Sequence, residues 1–164
     1  MSSGRKDSVL FVCRHNSCRS QMAEGFARAL FGPTSPSPFF GHIDSAALEG
    51  LSKINPDAIV TMAKLNIDIK NQYSKMIESL SPNDFSIIIS MCGCGATVPV
   101  AWKEGKRFED WNVNDPTGGT EAGFEVARNE IQNRVKELVS SIQEDRAPTY
   151  SLYYDDVCPL PSKR

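Results

Sequence analysis

Near the amino terminus, Cys13-Arg14-His15-Asn16-Ser17-Cys18-Arg19-Ser20 reads as Cys-x5-Arg-Ser between an apolar run and a helix-like run. Those residue types at that spacing suit chemistry on a tetrahedral oxyanion. The first turn of a helix presents unpaired backbone N–H groups and the positive end of its dipole, which favour a phosphate-like anion and a thiolate together. A cysteine held there is expected to ionise below its usual value of about 8.5. Arg19 supplies a planar fork of donors matched to two oxygens of the anion, and Ser20 can donate its hydroxyl to the Cys13 sulfur. Asn16 tolerates a left-handed backbone, so Arg14 through Ser20 are expected to form the oxyanion-binding loop, shaped by Asn16. His15 reads as a solvent-facing loop residue and His42 as a structural one. The bland alternative for Cys13 is a buried structural cysteine beside an incidental arginine. The strand-to-helix context argues for the cradle.

Two further sets of residues extend that chemistry. Met91-Cys92-Gly93-Cys94-Gly95 follows an apolar, β-branched stretch, Phe85-Ser86-Ile87-Ile88-Ile89-Ser90, so Cys92 and Cys94 emerge at a strand's carboxyl end. Two thiols beside a third suit a relay in which one attacks a sulfur, another resolves the mixed disulfide, and an external reductant collects the oxidised pair. Glycines beside Cys94 let the backbone move between these states. A zinc half-site is the alternative, but Cys-x-Cys departs from the usual spacing and no second pair lies nearby. Asp115-Pro116 offers an acid: proline biases its predecessor toward extended backbone and so fixes the carboxyl's direction. Alone, that dipeptide is a common turn. Oxide leaves poorly from a tetrahedral oxyanion, which gives a positioned acid a task.

The elements that must hold these residues alternate in type. Val9-Leu10-Phe11-Val12 suits a strand buried on both faces, and Met22, Phe26 and Leu30 recur at helical spacing. Gly32 to Pro38 is a Pro- and Ser-punctuated surface loop before a strand around His42–Asp44. Asn55-Pro56 starts a helix running to about Leu65, and Ser74 to Leu80 suits a short helix. Arg107 to Trp111 reads as a strand, and a long amphipathic helix runs from about Thr120 through Ile142. Strand alternating with helix implies an α/β three-layer sandwich, a parallel sheet with helices on both faces, and ligands beyond the strands' carboxyl ends.

With 164 residues and 40% apolar composition, the chain suits one domain, placed at residues 1–144, with a tail at 145–164 whose Tyr150, Tyr153, Tyr154 and Cys158 carry no derivable role. A net charge of -2 with both signs dispersed gives no footprint for nucleic acid or an anionic membrane. Apolar stretches are strand-sized and no signal-peptide core is present, so the expected location is cytoplasmic. Five cysteines in that setting favour redox chemistry over a disulfide framework.

The run Phe11-Val12-Cys13 through Gly25 resembles the low-molecular-weight protein tyrosine phosphatases and the arsenate reductases that share their fold. Ser20-Gln21-Met22-Ala23-Glu24-Gly25 is similar to the reductase branch, since phosphatases usually carry proline at the position of Gln21. The resemblance covers about Val9 to Gln143 and implies four parallel strands in the order 2-1-3-4. It implies that Cys13 attacks arsenate held by Arg19 and the loop amides, and that Asp115 protonates the departing oxygen. Cys92 then attacks the Cys13 sulfur and Cys94 forms the Cys92–Cys94 disulfide. The short Cys-Gly-Cys-Gly form resembles the glutathione- and glutaredoxin-coupled branch, with thioredoxin the other candidate reductant. The resemblance also implies a potassium site at Asn16, Glu24, Ser45 and Asp68; Cys18, lying within the loop, is separately an expected oxidation partner of Cys13. Thr117-Gly118-Gly119 replaces the aromatic residues that follow Asp-Pro in phosphatases, which disfavours phosphotyrosine. Phosphate-monoester hydrolysis is the alternative activity, and an oxyanion-binding or redox-sensing module without turnover is the third reading.

Overall fold

A computed structural model describes residues 6–93 and 95–147. Cys94 and the segment 148–164, including Cys158, lie outside the described residues. β1 (Asp7–Cys13), β2 (Phe40–Ala47), β3 (Ile87–Ser90) and β4 (Arg107–Asp110) form one parallel sheet in the order β2-β1-β3-β4. The order expected from the resemblance is the order found. The central strands are apolar throughout: Val9 to Val12 and Ile87 to Ile89 are buried on both faces of the sheet.

Helices α1 (Arg19–Phe31), α2 (Pro56–Ala63) and α3 (Glu121–Gln143) pack on one face, over Val9, Phe11, Ile43, Ile87 and Ile89. Each fully buried large side chain there contributes roughly 1.5–3 kcal/mol. Sequence signals set the helix starts. Asn55 accepts the Asp57 amide at 2.8 Å with Pro56 at the first helical position, and Thr120 accepts the Gly123 amide at 3.1 Å.

The other face carries Leu10, Val12, Ile88 and Phe108 and is covered by short 3₁₀ turns, among them Ile77–Ser79 and Val100–Trp102. Helical cover on both faces is therefore α-helical on one side and 3₁₀ on the other. The expected helix at Ser74–Leu80 is reduced to the Ile77–Ser79 turn. Lys75 and Met76 are extended instead, with the Ala47 amide bonded to the Lys75 carbonyl at 2.7 Å and Met76 bridged to Ala47. Gly32 to Pro38 is a largely exposed loop leading into β2.

Candidate active site

β1 ends at Cys13 and α1 begins at Arg19, so the intervening loop lies at the carboxyl edge of the sheet. Cys18 holds the N-cap position without a side-chain cap bond, and no acidic residue occupies the first turn. The positive end of α1 therefore remains available to an anion. Cys13, Arg14, His15, Ser17, Cys18, Arg19, Ser52, Asp115 and Thr117 line a cavity of about 220 Å³.

The loop is held from behind by Asn16, which is fully buried and adopts φ 52°. Its amide nitrogen donates to Ser20 Oγ at 2.8 Å and Ser45 Oγ at 2.9 Å, and its amide oxygen accepts the Lys75 amide at 3.0 Å. Ser20, thus occupied as an acceptor, retains its own hydroxyl proton. Gln21 Nε2 donates to the Asn16 carbonyl at 2.9 Å, and Gln21 Oε1 accepts from Gln72 Nε2 at 2.9 Å. The outer wall is pinned by the Leu48 amide on the Cys13 carbonyl and the Asn55 amide on the Ser17 carbonyl, both at 2.9 Å. His15 contacts the Gly50 carbonyl at the exposed rim, and His42 lies against Phe85.

Arg19 is 4% exposed, and its Nη1 donates to the Val113 carbonyl at 2.6 Å. Burial opposes its charge, but Cys13, Asp115 and Cys92 together hold it protonated. Its Nη2 lies 3.9 Å from Asp115 Oδ2, while Asp115 Oδ1 accepts the Thr117 amide at 3.0 Å, fixing the carboxyl over the cavity mouth. Cys18 is pushed up to about 12, chiefly by burial, so it is a neutral thiol.

Cys92 stands in hydrogen-bond contact with Cys13. It is pulled down to about 6, first by that hydrogen bond, against burial, with help from Ser90 and Arg19. Cys13 moves up for the complementary reasons, the bond it donates to Cys92 and its own burial, partly offset by Arg19 and the Arg14 amide. The two thiols behave as a pair holding one proton and one negative charge beside a guanidinium. The lowered pKa expected of Cys13 falls on Cys92 instead, because Cys13 is the donor in their bond and is itself raised. Gly93, in the left-handed region at φ 82°, turns the chain sharply after Cys92. Cys94 is outside the described residues, so its expected resolving role has no geometry here.

The four residues named for potassium do not gather. Asn16, Ser45 and Glu24 form a chain in which Ser45 Oγ donates to Glu24 Oε1 at 2.6 Å. Asp68 lies apart, exposed, and pairs with Lys70 at 3.6 Å because the segment after α2 turns it outward. Two side-chain cations already border the cluster. Arg28 Nε lies 2.8 Å from Glu24 Oε2, and Lys75 Nζ lies 2.6 Å from Asp44 Oδ1 and 3.1 Å from the Ser45 carbonyl. These residues do not fit a further cation, and no step below runs through one. Equal ionic strengths of potassium and sodium chloride should give the same melting temperature. Lys75→Met, which takes the buried ammonium away from half-buried Asp44, should lower stability by about 1–3 kcal/mol in denaturant titrations. A potassium-dependent melting temperature would contradict this assignment. Lys75 and Gln21 carry loop-holding roles that no local pattern announces.

Three comparisons with known proteins agree with this geometry. Residues 8–148 match the family model for low molecular weight phosphotyrosine protein phosphatases. The glutaredoxin arsenate reductase of Synechocystis sp. is 40% identical over 134 residues, covering 82% of this chain and 97% of that protein. The arsenate reductase of Bacillus subtilis is 37% identical over 140 residues, covering 81% and 95%. A solved arsenate reductase in the phosphate binding state superposes with a TM-score of 0.73 at 40% identity, covering 83% of this chain and 98% of that one. The chain belongs to the low molecular weight phosphotyrosine protein phosphatase family, on the branch occupied by the arsenate reductases.

Proposed function

We propose that this protein reduces arsenate to arsenite through Cys13 and an internal thiol relay. The observation that carries the reading is the contact between Cys13 and Cys92 beside Arg19. Hydrolysis of a phosphate monoester needs only the thiolate, the arginine and the acid, and a second thiol touching the nucleophile has no task in it. A redox relay needs that second sulfur within reach. Thr117-Gly118-Gly119 after Asp115-Pro116 also leaves no ring to sandwich a phosphotyrosine.

Arsenate enters the loop, where the α1 amides and Arg19 hold its oxygens. The Cys13 thiolate forms a sulfur–arsenic bond while Asp115 protonates the oxygen that leaves as water. Cys92 then attacks the Cys13 sulfur. The sulfur–arsenic bond breaks with its electron pair kept by arsenic, arsenite departs, and a Cys13–Cys92 disulfide remains. Cys94 attacks Cys92 and frees Cys13, and two electrons from glutathione with glutaredoxin reduce the resulting Cys92–Cys94 pair. The Synechocystis relative's name, glutaredoxin arsenate reductase, supports that choice of reductant.

The test is arsenite release measured separately with glutathione plus glutaredoxin and with thioredoxin. Turnover with the first system is expected. Release with neither would contradict the function, and release with thioredoxin alone would contradict the reductant. Asp115→Asn removes the acid and should lower kcat by about 10²–10⁴-fold in the same assay. Wild-type kcat in that variant would remove Asp115 from the chemistry.

A further inference from the structure

Asp110, the last residue of β4, is fully buried and takes part in none of the steps above. It stands opposite Ser90 in the β3–β4 register. Its Oδ1 accepts the Gly93 amide at 2.9 Å and the Asn112 amide at 3.3 Å, whereas Oδ2 is buried without a hydrogen-bond partner. The Gly95 amide also favours the carboxylate's charge, yet burial makes that charge costly, and such groups concentrate where chemistry needs them. Ser90, also fully buried, links it to the relay. Its Oγ lies 3.7 Å from Cys92 Sγ, and its hydroxyl faces the Asp110 carboxyl closely enough to favour the ionised form. A Cβ on Gly95 would lie 2.9 Å from the Phe108 ring and 3.4 Å from Asp110 Oδ2, so glycine keeps the loop down over the carboxyl.

The relay creates a need at this spot. Cys13 and Cys92 share one proton that rests on Cys13, and when Cys13 attacks as the thiolate that proton must pass to Cys92. The bond from Cys13 that chiefly kept Cys92 acidic is then gone. Cys92 must still lose its proton before its sulfur can attack. We propose that Ser90 and Asp110 carry it away: the Ser90 hydroxyl accepts the Cys92 proton while donating its own to the Asp110 carboxylate. Ser90 touches the reacting sulfur, and Asp110 acts through it as a positioning and proton-holding residue.

This inference rests on the proposed relay. In the step it serves, the Cys92–Cys13 sulfur bond forms and the Cys13–arsenic bond breaks. Arsenic(V) becomes arsenic(III), the two sulfurs are oxidised, and the proton ends on Asp110. Burial pushes Asp110 up to about 6, partly offset by the Asn112 and Gly93 amides, so it is a carboxylate ready to accept at neutral pH and is filled below that value. Among the described residues, the other charged and titratable groups near it are Cys92, with Arg19 and Cys13 beyond it, and Lys103, whose Nζ lies 3.1 Å from the Gly95 carbonyl. Arg107 and Glu109 pair with each other on the opposite face of β4.

The experiment follows Cys13–Cys92 disulfide formation after mixing reduced protein with arsenate, by acid quench and mass spectrometry, in wild type, D110N and S90A across pH. Wild type should slow as pH falls through about 6. Both variants should be slower by about 10²-fold at neutral pH, and the acid limb should lose the share due to Asp110, falling from a two-proton slope to the one-proton slope of the Cys13–Cys92 pair. A second arm removes arsenic. Hydrogen peroxide converts Cys13 to a sulfenic acid, and Cys92 closes the disulfide with release of water while dimedone competes for the same sulfenic acid. D110N and S90A should shift the partition toward dimedone-labelled Cys13. Titration with inorganic phosphate reads whether the loop is folded in each variant. An effect in the peroxide arm with no arsenate-driven disulfide in wild type would overturn the substrate and uphold the proton path. Rates, acid limb and partition matching wild type in both variants would overturn the proton path.

Discussion

Replacing Cys92 with serine is expected to lower arsenite release by about 10³-fold or more, because residues that act as a unit fail together when one is removed. Serine preserves the size of the side chain and its contact with Ser90, but it cannot form the sulfur–sulfur bond that expels arsenite. The effect belongs to the second step. Arsenate still meets Cys13, Arg19 and Asp115, so p-nitrophenyl phosphate hydrolysis, which needs no second thiol, continues in this variant. The same serine also removes the partner that shares a proton with Cys13, so the Cys13 thiol should titrate alone, free of the Cys92 bond that pushes it up. Iodoacetamide labelling of Cys13 across pH reads that change directly. Arsenite release at the wild-type rate in Cys92→Ser would mean that an external thiol attacks the arsenic adduct, and the internal relay would be wrong.

Arg19→Lys should be nearly as damaging, for a different physical reason. The guanidinium is almost wholly buried, spends one nitrogen on the Val113 carbonyl at 2.6 Å, and points another toward Asp115. A lysine ammonium is a point charge that cannot hold the carbonyl and two anion oxygens in one plane. Removing preorganised donors of this kind costs about 10²–10³-fold in rate. The loss should appear in kcat/KM for arsenate and as weaker inorganic phosphate binding, since both anions use the same fork. A lysine variant with wild-type kcat/KM would show that the anion is held by backbone amides alone.

How far the site could be read from the residues follows from which interactions are local. The cradle was readable because Cys13, Arg19 and the apolar run before them lie within one strand–loop–helix unit. Cys92 was readable as the residue just beyond a β-branched strand whose parallel pairing brings it to the same sheet edge. Its contact with Cys13 required the β1–β3 register, and so did the result that Cys92, rather than Cys13, is the acidic thiol. The Ser90–Asp110 pairing is farther still from local pattern, since it exists only because β3 and β4, whose partners lie twenty residues apart in the chain, align side by side. Asp68 was misplaced for the converse reason. An acidic residue just past a helix resembles a ligand by type, but the chain there turns outward and spends it on Lys70. Lys75 supplies positive charge behind the loop from an extended segment that the spacing of Ser74 to Leu80 suggested was helical.

The internal thiol relay is tested most simply by a single turnover without any reductant. Fully reduced protein is mixed with excess arsenate, quenched in acid, and assayed for arsenite and for the mass and connectivity of its disulfides. One arsenite per chain and one new intramolecular disulfide joining Cys92 to Cys13 or Cys94 are expected. Arsenite formed without a disulfide at Cys92, or no arsenite until glutathione is added, would contradict the relay.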